Sequence, residues 1–284
     1  MSLNSVITNV NAQVALQSLN ITGSQLAATQ KEISTGYRVA DATDDGAAYA
    51  IAQRVRSDVA GLTSANQQLG NAQGLLDTTL SSLNDVSNTL ISINQTLVKL
   101  ADSNVSGAQR TEYGSTLASE VTEVRNYFSD ATYNGKSLVG DLTNAAGVAG
   151  TASGFTTIRN ETGGTFGVTS FSASAFATSL TSLNVSTQTV AQAAITATGV
   201  FQSLTSKLGQ VLNRYGAANN YISSQISYNS NKIDALNSGL GSLIDANLAQ
   251  ESAQLTALQI RQQLGTQALS IANQSPQSLL SLFK

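Results

Sequence analysis

Leucine recurs at every seventh position from Leu62 through Leu69, Leu76, Leu83 and Leu90 to Leu97. Val55 stands one heptad earlier, and Ala65, Ala72, Thr79, Val86, Ile93 and Leu100 stand three residues after the leucines. This 3-4 spacing draws one apolar seam along a helix, as in a coiled coil. From Val55 to Leu100 the helix would be about 69 Å long at roughly 1.5 Å per residue, too long to end inside an ordinary globular core. A second seam runs through Val190, Ala194, Ala197, Phe201, Leu204, Leu208, Val211, Tyr215, Ala218 and Ile222. The two seams can zip together. Tyr113, Leu117, Val121, Val124 and Phe128 predict a shorter helix that folds back as a third bundle member, after the turn-like stretch 102–107. The rod core expected from this pattern is Leu62, Leu69, Leu76, Leu83, Leu90 and Leu97 against Phe201, Leu204, Leu208 and Val211.

Between the halves the texture changes. No charged residue occurs from Thr162 to Ser206, and short alternating pieces such as Phe155, Thr157, Ile158 and Phe166, Val168 predict a small β-hairpin within an insert at 139–185. The ends are amphipathic and lightly charged. Leu3, Val6, Val10 and Val14, then Leu19, Leu26 and Ile33, fall on helical spacing near the N-terminus. Leu248, Leu255 and Leu258, then Ile260, Leu264, Ala268 and Ile271, do the same near the C-terminus. With no globular domain to bury against, two such helices are expected to pair with each other and with neighbouring copies. The expected fold class is mainly α: a long antiparallel coiled-coil helical bundle, an inner coiled coil of terminal helices, and the hairpin-bearing insert.

Composition removes most chemistry. The chain has no Cys and no His, so thiolate nucleophiles, the commonest metal ligand and the commonest general base are missing. Catalysis, a metal and a cofactor are not expected. With 41% hydrophobic and 11% charged residues, the chain does not have the low-hydrophobicity, high-charge signature of disorder. A net charge of -3 offers no basic footprint for nucleic acid. No charged side chain precedes Lys31 and no run of 18 apolar residues occurs, so neither a Sec signal peptide nor membrane insertion is expected.

The motifs that mimic chemistry have structural readings. Asp44 and Asp45 precede an Ala-rich helix start, where carboxylates serve as N-cap and dipole partners. Gly135, Lys136 and Ser137 imitate the end of a phosphate loop, yet the position that needs Gly holds Asp130. Gly163, Gly164 and Gly167 lack dinucleotide-loop spacing. The Asn-x-Ser/Thr triplets at Asn20, Asn94, Asn104, Asn160, Asn184 and Asn273 arise by chance in a chain so rich in these residues.

From Ser34 the chain reads STGYRVADATDDGAAYAIA, which resembles the signature of bacterial flagellins. TNVNAQVALQSLN before it, GLTSANQQLGNAQGLL after it, ATYNGKSLVGD, LGQVLNRY and the C-terminal ANQSPQSLLSLF are similar to flagellin blocks in the same order. The resemblance spans residues 4–142 and 190–283. It implies a structural subunit of the flagellar filament for swimming motility, secreted and extracellular, assembling with many copies of itself through both ends. The implied divisions are 1–42 and 240–284 (filament core), 43–138 and 186–239 (helical rod) and 139–185 (variable insert). The assembly residues would be Leu3, Val6, Val10, Val14, Leu19, Leu26, Ile33, Leu248, Leu255, Leu258, Leu264 and Ile271. A flagellar export chaperone, hook-junction proteins and cap proteins are implied partners. The rivals are a hook-filament junction protein, disfavoured by the central blocks, and a secreted coiled-coil adhesin, which would not keep both ends.

Two departures from the family pattern stand out. Where many flagellins have a Ser-Arg-Ile-x-Asp element, this chain has Gly241, Ser242, Leu243, Ile244 and Asp245, without the Arg. Where a vertebrate Toll-like receptor grips an Arg on the long helix of recognised flagellins, the aligned stretch here offers Ser92, Asn94 and Gln95.

Overall fold

The computed structural model describes residues 8–139, 153–183, 187–196 and 198–281. Its elements in chain order are α1 (Val10–Thr35), α2 (Gly46–Leu100), α3 (Gly107–Asp130), β1 (Phe155–Ile158), β2 (Thr165–Val168), α4 (Ala173–Thr181), α5 (Gln188–Ile195), α6 (Val200–Ile244) and α7 (Leu248–Ser281). They divide into two compact units, one of Met1–Ser57 with Ala235–Lys284 and the other of Asp58–Asp234.

In the larger unit the leucine heptad of α2 is the inside. Leu62, Leu69, Leu76, Leu83, Leu90 and Leu97 are all buried, as are Ala65, Ala72, Thr79, Val86, Ile93 and Leu100 three residues on. Thr79 is admitted because its hydroxyl donates to the Leu75 carbonyl at 2.7 Å. From α6, Phe201, Leu204, Leu208, Val211, Tyr215, Ala218 and Ile222 supply the opposite wall. Polar links between Asn219 and Asp77 and between Asn229 and Asn66 give the two helices an antiparallel register.

The segment 102–107 reverses the chain. Arg110 donates to the carbonyls of Leu100 and Asp102, satisfying the end of α2, and Ser106 with Gln109 forms a capping box at the start of α3. Leu117, Val121, Val124 and Phe128 of α3 then join the core, while Tyr113 is half-buried.

Three features extend or depart from the apolar seams. First, α2 begins at Gly46, before Val55 and at the Ala-rich helix start expected after Asp44 and Asp45, because Asp45 caps it. Second, the seam from Val190 to Ile222 is not one helix. It breaks between α5 and α6 at Thr196, whose backbone is extended, and Val190 is exposed while Ala191 is buried. Gly199 makes this corner possible: a Cβ there would stand 2.3 Å from the Ala194 carbonyl oxygen. Ala197 lies outside the described residues. Third, the insert contains more than a hairpin. β1 and β2 pair antiparallel with Phe155 opposite Val168 and Ile158 opposite Thr165, and they are followed by α4, which buries Ala173, Phe176, Ala177 and Leu180. Phe176 meets Phe128 of α3 edge-on, with ring centroids 5.4 Å apart.

Candidate assembly site

In the smaller unit α1 and α7 pair antiparallel. Asn9 donates to the Ala272 carbonyl at 2.7 Å, Leu19 packs on Gly265, and Gln254 meets Thr29 at 3.5 Å. The seam between them is thin. Thr22, Thr29 and Leu258 are buried, and Leu19, Leu26, Ile33 and Leu255 are half-buried. Small residues let the backbones approach; a Cβ on Gly265 would already lie 3.3 Å from the Leu19 methyl carbon.

The expected assembly residues therefore fall into two groups. Leu19, Leu26, Ile33, Leu255 and Leu258 face the partner helix within the pair, whereas Val10, Val14, Leu248, Leu264 and Ile271 point away from it and are between 47% and 69% exposed. Leu3 and Val6 lie outside the described residues. Leu16, Ile21 and Ile260 belong with the exposed group. Val10, Val14 and Ile21 follow one helical stripe, which was the signal available for Ile21. Thr22 and Thr29 of the inner seam carried no apolar signal at all.

The junction after α1 is built from charge and backbone. Gly36 closes the helix with φ of 74°, and its amide donates to the Glu32 carbonyl at 2.8 Å. The amides of Arg38 and Val39 donate to the Ile244 carbonyl, Ala246 donates to Gly36, and the Arg38 guanidinium donates to the Leu243 carbonyl at 2.6 Å. Val39, Ala48, Ala52 and Ile244 bury a small apolar cluster behind these bonds. Lys31 bridges Asp41 and Asp44 at 2.7 Å each.

The two candidate carboxylates have different duties. Asp45 accepts from the amides of Ala47 and Ala48 at 3.0 Å, the geometry of an N-cap. Asp44 turns to Lys31 and accepts from the amides of Ala40 and Asp41. The Lys31 ammonium holds the Asp44 carboxyl below its ordinary range; Lys31, with the Thr43 hydroxyl and amide, holds Asp41 well below it. The same pairs raise Lys31. Glu32 is pushed the other way, first by burial and then by the Glu251 and Asp44 charges.

On α2, Ser92 and Gln95 are exposed and Asn94 is half-buried. Among the described residues no group of three His, Cys, Asp or Glu side chains could hold a metal, and no helix is long and apolar enough to cross a membrane.

The bacterial flagellin N-terminal helical region matches residues 6–143, and the flagellin C-terminal helical region matches residues 190–283. The chain belongs to the bacterial flagellin family. This flagellin is 32% identical to flagellin FljK of Caulobacter vibrioides over 284 residues, covering all of both chains. It is 31% identical to flagellin FljM of the same organism, again over the whole of both. A flagellin of Brucella melitensis is 32% identical over 288 residues, 99% of each chain. Flagellin is a structural family and not an enzyme family, so this flagellin is a structural subunit that assembles with itself into the extracellular flagellar filament. Neither the junction-protein reading nor the adhesin reading is favoured.

Proposed function

We propose that α1 and α7 are the polymerisation element of this flagellin. In this reading 1–42 and 240–284 are filament-core segments, 43–138 and 186–239 the helical rod, and 139–185 the variable part. The observation that carries it is the outer face of the pair, where Val10, Val14, Leu16 and Ile21 of α1 and Leu248, Ile260, Leu264 and Ile271 of α7 stand in water. Burying each such side chain contributes about 1.5 to 3 kcal/mol, enough in sum to offset the ordering of two terminal segments. Contact between different patches on successive copies does not close on itself, so it propagates as a helical filament. Leu3 and Val6, the remaining assembly residues of this reading, lie outside the described residues.

Removing residues 1–30 or 255–284 tests this. The expected product is a soluble helical protein that forms no filaments under conditions where the full chain does. Long, stable filaments from either truncation, seen by electron microscopy, would overturn the assignment. A flagellar export chaperone and the hook-junction and cap proteins are the further partners that this reading brings with it.

Ser92, Asn94 and Gln95 support a second reading, that a vertebrate Toll-like receptor binds this flagellin weakly. An Arg hot spot supplies planar bidentate contacts worth about 2 kcal/mol or more, roughly 30-fold in affinity. Combining Ser92→Arg, Asn94→Arg and Gln95→Glu is expected to raise receptor activation by the monomer. Full-strength activation by the native chain would rule this reading out.

A further inference from the structure

α1 and α7 carry four charged residues, Lys31, Glu32, Glu251 and Arg261. Lys31 is occupied by Asp41 and Asp44. Arg261 is exposed between Ile260 and Leu264 and has no ion pair or hydrogen bond among the described residues. With Val14, Gln17, Ile21 and Gln25 of α1 it lines a shallow groove of about 550 Å³. Burial of this apolar face against another copy takes the guanidinium out of water with it, which is strongly unfavourable unless a carboxylate meets it.

Among the described residues its own chain does not supply one. Glu251 lies ten residues back along α7, about 15 Å at 1.5 Å per residue, beyond the reach of an ion pair. The antiparallel register that places Gln254 beside Thr29 brings Glu32 opposite Glu251, so two carboxylates face each other at one end of the pair. Neither has an ion-pair partner among the described residues. Of the cations around them, Arg38 is bonded to the Leu243 carbonyl and Lys31 to the two aspartates. Burial and the Glu251 and Asp44 charges raise the Glu32 carboxyl, which marks a site where an added cation is favourable.

We infer that Arg261 of one copy forms an ion pair with the Glu32 and Glu251 carboxylates of a neighbouring copy, and that this pairing fixes the axial stagger of the terminal helices in the filament. The inference rests on the reading of α1 and α7 as the polymerisation element. An axial shift of about 15 Å brings the two sites level, and apolar contact alone, which is non-directional, does not select one stagger.

The test uses two full-length variants, Arg261→Glu and the double variant Glu32→Arg, Glu251→Arg. Each alone is expected to polymerise at a critical concentration at least tenfold above that of the parent, measured by sedimentation, with monomer helicity unchanged by circular dichroism. An equimolar mixture is expected to copolymerise near the parent concentration, because each variant then presents the charge the other lacks. Parent-like polymerisation of Arg261→Glu alone overturns the inference, and so does a mixture that stays as impaired as its components. If terminal truncation abolishes filaments while Arg261→Glu does not, this inference fails and the polymerisation reading stands.

Discussion

Asn229 of α6 and Asn66 of α2 meet inside the bundle, the Asn229 amide donating to the Asn66 side-chain oxygen at 2.8 Å. Asn229 is fully buried; it also donates to the Arg159 carbonyl of the hairpin at 2.9 Å and accepts from Gln225. One polar side chain thus links two long helices and the hairpin turn. A buried Asn in a coiled-coil seam favours the one register in which its partners are satisfied. Asn229→Ala leaves the oxygens of the half-buried Asn66 and Arg159 without that donor. It is expected to cost about 1 to 3 kcal/mol, read as a lowered midpoint in thermal unfolding of the monomer.

The heptad gives a larger effect. Leu83 has no exposed surface and lies in the continuous core of the larger unit. Leu83→Ala is expected to cost about 2 to 5 kcal/mol through lost transfer and a residual cavity. Leu83→Asp is expected to cost more, since a carboxylate then sits in the apolar core. Denaturant unfolding of the monomer measures both, and an unchanged midpoint for Leu83→Asp would show that this position faces water.

The sequence shows its helices wherever an apolar period of seven is unbroken, which is why α2 was legible from Leu62 onward. Its first turns were legible by a different signal, the Asp44 and Asp45 pair ahead of the alanines, which marks a cap and carries little apolar contrast. In α4 the spacing of Ala173, Phe176, Ala177 and Leu180 is helical, but the Ser and Thr between them and the neighbouring Phe-rich hairpin read as loop. Asn229 was invisible for a related reason: it continues the seam beyond Ile222 with a polar residue that a hydrophobic pattern skips. The terminal pair was legible as two amphipathic helices. Its inner and outer faces were not separable, since Thr22 and Thr29 are buried while Val14 and Ile271 are exposed.

The corner between α5 and α6 admits no side chain at Gly199. An added Cβ would approach the Ala194 and Ala193 carbonyl oxygens to 2.3 and 2.5 Å. Both obstacles are backbone, so neither can rotate aside. Gly199→Ala is expected to open the corner at a cost of about 1 to 3 kcal/mol, and hydrogen exchange should quicken in α5 before it does in α6. Protection equal to that of the parent would show that the corner relaxes freely.

Acid should act on the α1 junction in two opposed stages. Glu32 has a carboxyl raised above its ordinary 4.5 by burial and by Glu251 and Asp44. Its folded form therefore binds a proton more readily than its unfolded form, and stability rises as pH falls through the raised value toward 4.5. Asp41 and Asp44 are depressed below their ordinary 3.8 by Lys31 and by local hydrogen bonds. Their contribution is fully present above 3.8 and is lost as pH falls below it. Lys31, raised above 10.5, contributes below that value and loses its contribution only at higher pH. Amide exchange of residues 36–45 should thus be best protected between pH 4.5 and pH 3.8, after correction for the intrinsic rate, and weaker both at neutral pH and in stronger acid. Glu32→Gln is expected to abolish the gain between neutral pH and the optimum while leaving the acid loss in place. Lys31→Met is expected to reduce the aspartates' share of the acid loss, because the ammonium is the largest cause of their depression and only the local hydrogen bonds remain. A Glu32→Gln profile that still rises on mild acidification would assign that rise to another group.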